Sequence, residues 1–205
     1  MILYESIGPN PRVVKMFAAE KGLALETRSV DIMKGENRQG DYLKRQPGGT
    51  TPCLELDDGT VLSETVAICE YLDEKQPEPA LIGATPEERA RTRMWVRRVD
   101  LTVAEPMTSG FRAAEGRPMF EPRMRVMPAE MAGELKAAAV DGLRFIEAQL
   151  AEHDWIAGDR FTLADIVLFS FVEFGALVGQ PLPDDLPKLA AWRGRVAARP
   201  SAAAA

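Results

Sequence analysis

The sequence predicts a two-domain protein in which an α/β domain over residues 1–76 precedes an all-helical domain over residues 84–205. Strand and helix patterns alternate through the first domain, whereas only helical patterns occur in the second. Arginine and alanine also become much more frequent in the second domain. The stretch 77–83 between them contains two prolines and has the composition of a linker.

Seven elements are predicted in the first domain, in the order β-α-β-α-β-β-α, which is the order of the thioredoxin-like fold. Along the chain they are a strand (2–4), a helix (10–21), a strand (25–30), a polar segment with weak helical character (34–46), two short strands joined by the turn Asp57-Asp58-Gly59, and a helix after Ser63. Asn10 and Ser63 are the predicted N-caps, because their side-chain oxygens accept from free N–H groups of a first turn. Pro52 opens the first strand of the hairpin and cannot donate to the ladder, so an edge, a bulge or a cis bond is expected there.

Two capping boxes mark helix starts in the second domain. Thr85 with Glu88 opens an arginine-rich helix that is predicted to run to about Phe111. Thr162 with Asp165 opens a helix that is apolar nearly all round, so this helix should be buried. The remaining predicted segments are a loop or distorted helix end (116–127) and two helices (128–150 and 187–199).

The composition argues against several classes of function. A net charge of −6 disfavours nucleic acid as the main partner. No apolar run approaches the roughly 18 residues that a membrane span needs, and the first residues lack a signal-peptide pattern, so we expect a cytoplasmic protein without a membrane partner. The two cysteines and the single histidine form no cluster with metal-ligand spacing, so no metal site is predicted.

Two segments together resemble one known family. The strand, turn, strand and helix start between Thr51 and Tyr71 resemble the glutathione-binding half of the glutathione S-transferases, and Thr162 to Asp165 resembles the start of the buried core helix in their second domain. The motifs are independent and occur in the family's order, so the resemblance covers nearly the whole chain. It implies a bacterial, cytosolic type of transferase with some nu-class features, a thioredoxin-like domain followed by an all-α domain, a homodimer and a role in detoxification.

The resemblance also implies which residues bind glutathione, the expected co-substrate. In the family a cis-proline, here Pro52, presents the backbone of the preceding residue, here Thr51, to the cysteinyl part of glutathione. An acidic residue and a hydroxyl at the start of the next helix take the γ-glutamyl end. These two positions correspond to Glu64 and Thr65 in this chain.

The other contacts of glutathione are less directly implied. The lysine or histidine that usually meets the glycine carboxylate is replaced by Gly49-Thr50, so Lys34 and Arg38 in the polar loop are candidate substitutes. Asp100 is a third candidate, because some relatives send an acidic residue from this helix across the dimer to the γ-glutamyl amine. The second, hydrophobic substrate is expected on the same helix, at Met107 and Phe111.

The thiolate of glutathione is the nucleophile, so an enzyme of this family must favour it over the thiol. Gly8 stands where many relatives carry the serine that stabilises the thiolate, which leaves two catalytic candidates. Asn10 matches the asparagine of the nu class, whose amide takes over this role, and its alternative role is that of a plain N-cap. Ser6 is the second candidate, provided that the loop after the first strand is rearranged.

Three functions are compatible with these residues. The favoured one is a transferase that activates glutathione for attack on small hydrophobic electrophiles. The second is reduction of disulfides or peroxides with two glutathione molecules, since the first helix lacks the cysteine of related reductases and Cys53 and Cys69 are expected to be buried apolar residues. The third is a non-catalytic module that binds glutathione.

Overall fold

The computed structural model of the chain describes all 205 residues, which form two compact units. The first unit contains residues 1–81 and 200–205, and the second contains residues 82–199. The division therefore lies within the segment 77–83 that the composition marks as a linker. The last six residues differ from the predicted division, because they belong to the first unit and not to the helical one.

A four-stranded mixed sheet forms the centre of the first unit, in the order β2-β1-β3-β4. Its strands are β1 (Ile2–Glu5), β2 (Glu26–Ser29), β3 (Cys53–Glu55) and β4 (Val61–Ser63). β1 is parallel to β2 and antiparallel to β3, and β3 is antiparallel to β4. Because Tyr4 pairs with Cys53, the residues that follow β1 lie opposite those that precede β3.

Three helices complete the predicted order of the first unit, which confirms its thioredoxin-like architecture. They are α1 (Pro9–Glu20), α2 (Gly40–Arg45) and α3 (Thr65–Lys75), with a short 3₁₀ turn (Glu36–Arg38) before α2. α1 packs against α3. The peptide bond between Thr51 and Pro52 is cis, which is one of the three arrangements expected for a proline at this position.

The N-cap predicted for α1 is wrong. The helix begins at Pro9, and Gly8 occupies the cap position with φ 132°, so Asn10 lies inside the first turn. Proline suits the first helical position, and glycine tolerates the positive φ by which the chain enters the helix. Asn10 therefore does not cap this helix.

The second unit is all-helical, as predicted. Its α-helices are α4 (Pro86–Val99), α5 (Glu105–Ala113), α6 (Arg117–Phe120), α7 (Ala132–Gln149), α8 (Leu163–Leu177) and α9 (Pro187–Ala197). α6 lies in the segment predicted as a loop or distorted helix end, and a 3₁₀ turn (Ala129–Met131) precedes α7. No helix in the structure combines the length and apolar character needed to cross a membrane.

The single long helix predicted from Thr85 to Phe111 is interrupted. α4 and α5 are separated by one π-helical segment, Asp100–Ala104. Pro106 provides the physical reason, because proline cannot donate to the carbonyl group four residues earlier and its ring collides with that group. A wider π turn before the proline accommodates both effects, and such segments are frequent at functional sites.

Both predicted capping boxes are present. Thr85 accepts from the Glu88 amide at 3.3 Å, and the second box holds the start of α8. There, Asp165 accepts from the Thr162 amide at 2.9 Å, and also from the Trp192 indole N–H at 2.9 Å. α8 is buried along residues 163–172, which confirms its predicted place in the core.

A fourth helix of the first unit, α10 (Pro200–Ala204), explains why the end of the chain belongs there. α10 packs against α1. Ser201 is 5% exposed and its hydroxyl bonds to the Glu20 carboxylate, while Arg12 donates to the Ala202 carbonyl oxygen at 3.3 Å. These contacts depend on tertiary packing, and a local pattern in an alanine-rich tail does not reveal them.

Candidate functional site

The end of β1 and the start of β3 bring two candidate residues together. Ser6 follows β1 directly, and Thr51 precedes Pro52 at the start of β3. The Ser6 and Thr51 hydroxyl oxygens lie 2.5 Å apart, and Ser6 is only 8% exposed. Ser6 also donates to the Ile7 carbonyl oxygen at 3.2 Å. A hydroxyl has one proton to donate, so the Ser6 proton is already engaged within the protein.

The starts of α1 and α3 bring a second pair together. Thr65, the first residue of α3, donates its hydroxyl proton to Oδ1 of Asn10 at 3.2 Å. Asn10 is half-buried in the first turn of α1. The NH₂ group of Asn10 makes no hydrogen bond to the protein. The pair therefore leaves an amide donor available beside two helix starts.

Glu64 occupies the N-cap position of α3, in place of the predicted Ser63, which ends β4. Glu64 has φ 70° and ψ 118°, and it is the only residue other than glycine with a positive φ. Such a conformation costs about 1–3 kcal/mol and tends to occur at functional sites. The Glu64 side chain is exposed and its carboxylate pairs with no other group of the chain. The strained backbone thus presents a free carboxylate at the start of α3.

α1 and α3 both begin without a side-chain cap, so their first turns keep free N–H groups. In α1, Pro9 and Pro11 have no N–H, which leaves the backbone amide of Asn10 as the free donor of that turn. In α3, the amides of the first turn remain open. A helix start carries partial positive charge, so the two neighbouring starts suit an anionic ligand.

Three side chains that sequence reasoning missed hold the loop that leads to Thr51. Tyr42 donates to the carbonyl oxygen of Thr50 at 2.5 Å. Asn37 donates to the carbonyl oxygen of Gly49 at 2.7 Å. Gln46 also bonds to this loop, at Thr50 and Gly48. Burial raises the pKa of Tyr42, so its hydroxyl stays protonated as a donor. No sequence signal identified them, because they lie in a polar segment without a clear period.

Of the two basic candidates in this segment, only one contacts the loop before Thr51. Arg38 donates from Nη1 to the Gly48 carbonyl oxygen at 3.2 Å. Lys34 pairs instead with Asp31 at 3.1 Å, and its side chain is 86% exposed. Arg38 is thus the basic candidate that contacts the loop before Thr51.

The candidates of the second unit differ in exposure. Asp100 lies in the π-helical segment and pairs with Arg97 at 2.8 Å. Met107 is 2% exposed, so its side chain is part of the core and offers no surface to a ligand. Phe111 is partly exposed and packs edge-to-face with Phe120 and Phe174, at ring distances of 6.1 and 5.4 Å. The aromatic group around Phe111 is therefore the better candidate for an apolar binding surface.

Neither cysteine presents its thiol at the surface, although Cys53 directly follows Pro52. Cys53 and Cys69 are both free thiols with no exposed surface. Burial raises the pKa of the Cys53 thiol, and burial followed by the nearby Asp73 raises that of Cys69. Both behave as small apolar side chains, as the sequence indicates. No group of three or more His, Cys, Asp and Glu side chains is arranged to hold a metal ion.

Comparisons with known proteins find relatives over most of the chain. The family model for the glutathione S-transferase N-terminal domain matches residues 7–75, and that for the C-terminal domain matches residues 117–200. Glutathione S-transferase 2 of Saccharomyces cerevisiae is 33% identical, covering 98% of this chain and 87% of the yeast protein.

Solved structures show the same similarity over the full length. A glutathione S-transferase domain-containing protein from Marinobacter aquaeolei superposes with a TM-score of 0.92, at 38% identity over 98% of this chain and 99% of that one. The structure of Gtt2 from Saccharomyces cerevisiae gives a TM-score of 0.91, at 33% identity over 98% of each chain.

Proposed function

Because the chain belongs to the glutathione S-transferase family and is an enzyme of that class, we propose that it binds glutathione at the starts of α1 and α3 and activates its thiolate for attack on small hydrophobic electrophiles. The observation that supports this most directly is the strained backbone of Glu64, whose carboxylate is exposed and unpaired. A positive φ in a residue with a side chain persists only where the surroundings impose it. A free carboxylate held in this way is suited to the ammonium group of a ligand.

Glutathione is a flexible tripeptide with one ammonium group, two carboxylates and a thiol. In the proposed complex the Glu64 carboxylate receives the γ-glutamyl ammonium group, and the open first-turn amides of α3, beginning at Thr65, receive the neighbouring carboxylate. The backbone before Pro52, at Thr51, pairs with the cysteinyl part. Arg38 receives the glycine carboxylate. The contact of Arg38 with the loop before Thr51 supports this assignment. Lys34 is the less favourable choice, because Asp31 already neutralises it.

The thiolate is stabilised by Asn10 in this proposal. Its NH₂ group has no partner in the protein, and its backbone N–H is the free donor of the first turn of α1. Ser6 is disfavoured, because its proton is engaged by Ile7 or Thr51 and the residue is only 8% exposed. Hydrogen bonds to the charged form of an acid favour that form, so a free amide donor lowers the pKa of a bound thiol.

The second substrate is proposed to rest against the aromatic group of Phe111, with Met107 supporting that surface from the core. We also propose a homodimer, in which Asp100 reaches the γ-glutamyl amine of the other subunit. Asp100 is about half exposed although Arg97 pairs with it. A role in detoxification would follow from conjugation of apolar electrophiles, since conjugation adds the charges of glutathione to them.

Calorimetry with glutathione tests the binding site. Glu64→Ala should raise the Kd by at least about tenfold, which corresponds to roughly 1.4 kcal/mol. Glu74→Ala is the matched control, because Glu74 is exposed on the same helix and also pairs with no other group. An unchanged affinity in Glu64→Ala would remove Glu64 from the site.

The ultraviolet absorbance of the thiolate tests the activation step. Bound glutathione should ionise at a lower pH than free glutathione, and the rate of conjugation should follow the same pH profile. A bound thiol with the pKa of free glutathione would instead indicate a protein that binds glutathione without activating it.

A further inference from the structure

The aromatic group around Phe111 carries a positive charge at its margin. Arg112 follows Phe111 in the last turn of α5, and its Cζ atom lies 5.5 Å from the centre of the Phe120 ring. The Phe120 ring packs edge-to-face against Phe111, with 6.1 Å between the ring centres. Arg112 and Phe111 thus contact the same ring. A ligand that rests on this aromatic group is therefore within reach of the guanidinium group.

The charge of Arg112 has no counter-ion in the protein. Its side chain is only partly exposed, and it makes no hydrogen bond or ion pair with the rest of the chain. The two carboxylates that follow it in the chain are already paired with other cations. Glu115 pairs with Lys136 at 2.5 Å, and Glu121 pairs with Arg117 at 2.6 Å. A partly buried guanidinium without an acidic partner is a place where an anionic ligand gains a favourable contact.

The end of a helix offers Arg112 one structural role. The last carbonyl groups of a helix carry partial negative charge, which favours a cation in the last turn. This effect accounts for a basic residue at the end of α5, but it does not account for the use of its donors. A guanidinium has five N–H groups, and none of those of Arg112 donates to a carbonyl oxygen of the helix end. The donors remain available beside the Phe120 ring.

An aromatic surface with a guanidinium at its margin suits a ligand that combines an aromatic ring with a carboxylate. The ring of such a ligand packs on the partly exposed side chains of Phe111, Phe120 and Phe174. The planar guanidinium binds the carboxylate through two parallel N–H···O bonds. Because one side of the guanidinium faces a ring and not water, the attraction between the two charges is screened less than on an open surface.

We propose that Arg112 determines specificity for the second substrate, and that the favoured substrates are aromatic electrophiles with a carboxylate group. This inference rests on the proposed function, because it takes the aromatic group of Phe111 as the place of the second substrate. Arg112 holds the carboxylate and takes no part in the bond changes. With a chlorodinitrobenzoate, the thiolate sulfur forms the new C–S bond with its electron pair, and chloride leaves with the electron pair of the C–Cl bond.

Two matched pairs of probes test the proposal. The first pair is a dinitrobenzoate and its methyl ester, which have no leaving group and therefore report binding alone, measured as Kd by calorimetry. The second pair is the corresponding chlorodinitrobenzoate and its methyl ester, which report KM and kcat through the absorbance of the conjugate. Each ester keeps the ring and removes the charge, so every variant is compared with the wild type on a charged and a neutral form of the same molecule.

Arg112→Gln should raise the Kd for the benzoate and the KM for its chlorinated form by about fivefold, because the charged partner of the carboxylate is lost. The values for both esters should stay within about twofold of the wild type, since the ester has no charge to pair. Added salt should weaken binding of the benzoate and leave the ester unaffected. Arg112→Lys keeps the charge without the planar fork and should lie between the two, and it replaces glutamine if that variant has a lower melting temperature.

Arg125→Gln is the matched control. Arg125 lies on the segment between α6 and α7, is exposed, and also has no acidic partner, but it stacks on no aromatic ring. Equal effects of Arg112→Gln and Arg125→Gln on the benzoate would overturn the inference, because they would indicate general attraction by positive charge. Equal effects of Arg112→Gln on the benzoate and the ester would overturn it as well, since Arg112 would then only support the surface.

Failure of the proposed function gives a different result. A wild-type protein that conjugates neither chlorinated probe, and whose bound thiol has the pKa of free glutathione, would overturn the activation of glutathione. The calorimetric comparison of the benzoate with its ester needs no turnover, so it decides the role of Arg112 in binding in that case too. An unchanged Kd for the benzoate in Arg112→Gln would overturn the inference whatever the activity of the wild type.

Discussion

The ammonium group of Lys21 lies 2.5 Å from the carboxylate of Asp73, and the two side chains are 0% and 3% exposed. Lys21 follows α1 and Asp73 lies in the last part of α3, so the pair joins the far ends of the two helices whose starts form the candidate site. Lys21 also donates to the carbonyl oxygens of Pro77 and Pro79, at 3.0 and 2.5 Å. All three of its protons are therefore used, and the pair holds α1, α3 and the segment after α3 together.

Lys21→Met should lower the free energy of unfolding by about 3–5 kcal/mol, because it removes the cationic partner of a buried carboxylate and the donor for two carbonyl groups. Urea denaturation followed by circular dichroism measures this change. Lys44→Met is the matched control, since the pair of Lys44 with Asp41 is exposed and should contribute at most about 1 kcal/mol. Equal effects of the two substitutions would contradict the importance of the buried pair.

Glu64→Gly should separate stability from binding. Glycine adopts a positive φ without the steric cost that glutamate meets, so the variant should be as stable as the wild type or more stable by up to about 1 kcal/mol. Its affinity for glutathione should nevertheless fall as it does in Glu64→Ala, because the carboxylate is lost. Melting temperature and calorimetry, measured on the same preparations, check both expectations.

Glu64→Ala is the necessary comparison for that experiment. Alanine removes the same carboxylate but keeps the backbone cost, so it should bind as poorly as glycine without the gain in stability. A glycine variant that is less stable than the alanine variant would show that the φ of Glu64 carries no strain.

Asn10→Ala should reduce kcat by about tenfold or more at saturating glutathione, which corresponds to roughly 1.4 kcal/mol. Its melting temperature should change little, because Asn10 does not cap α1. Ser6→Ala should show the reverse pattern, with a kcat near that of the wild type and a lower stability, since it removes the partner of the half-buried Thr51 hydroxyl. Loss of turnover in Ser6→Ala alone would transfer the thiolate-stabilising role to Ser6.

Thiol reagents should not affect the enzyme. Cys53 and Cys69 have no exposed surface, and burial raises the pKa of both thiols, so the reactive thiolates form only above their ordinary pH range. Iodoacetamide at pH 8 should therefore leave activity unchanged and label neither cysteine in the native protein, whereas both should react in urea. Mass spectrometry of the intact chain counts the labels. Rapid labelling of the native protein together with loss of activity would reopen a reaction through the protein's own thiols.

Much of the architecture could be predicted because it depends on local patterns. The apolar helix after Thr162 and both capping boxes follow from residues that are neighbours in the chain, and each appears as predicted. The interruption before α5 had a local signal as well, because Pro106 cannot continue an undisturbed helix. The N-cap of α1 was misassigned because Gly8-Pro9 and Asn10-Pro11 are both plausible helix starts, and only the path of the chain after β1 distinguishes them.

The sequence by itself therefore determined the order of the elements, the family and the residue types available for glutathione. Only the tertiary structure decided which of those residues meet. Ser6 and Thr51 come together because β1 and β3 pair antiparallel, and Asn10 meets Thr65 because α1 packs against α3. These contacts join residues 45 and 55 positions apart, and the local patterns that specify a helix or a strand contain no information about its neighbour. The direction of a hydroxyl proton or an amide group is set by such a neighbour, so the chemistry of this site depends on how the sheet and the helices pack.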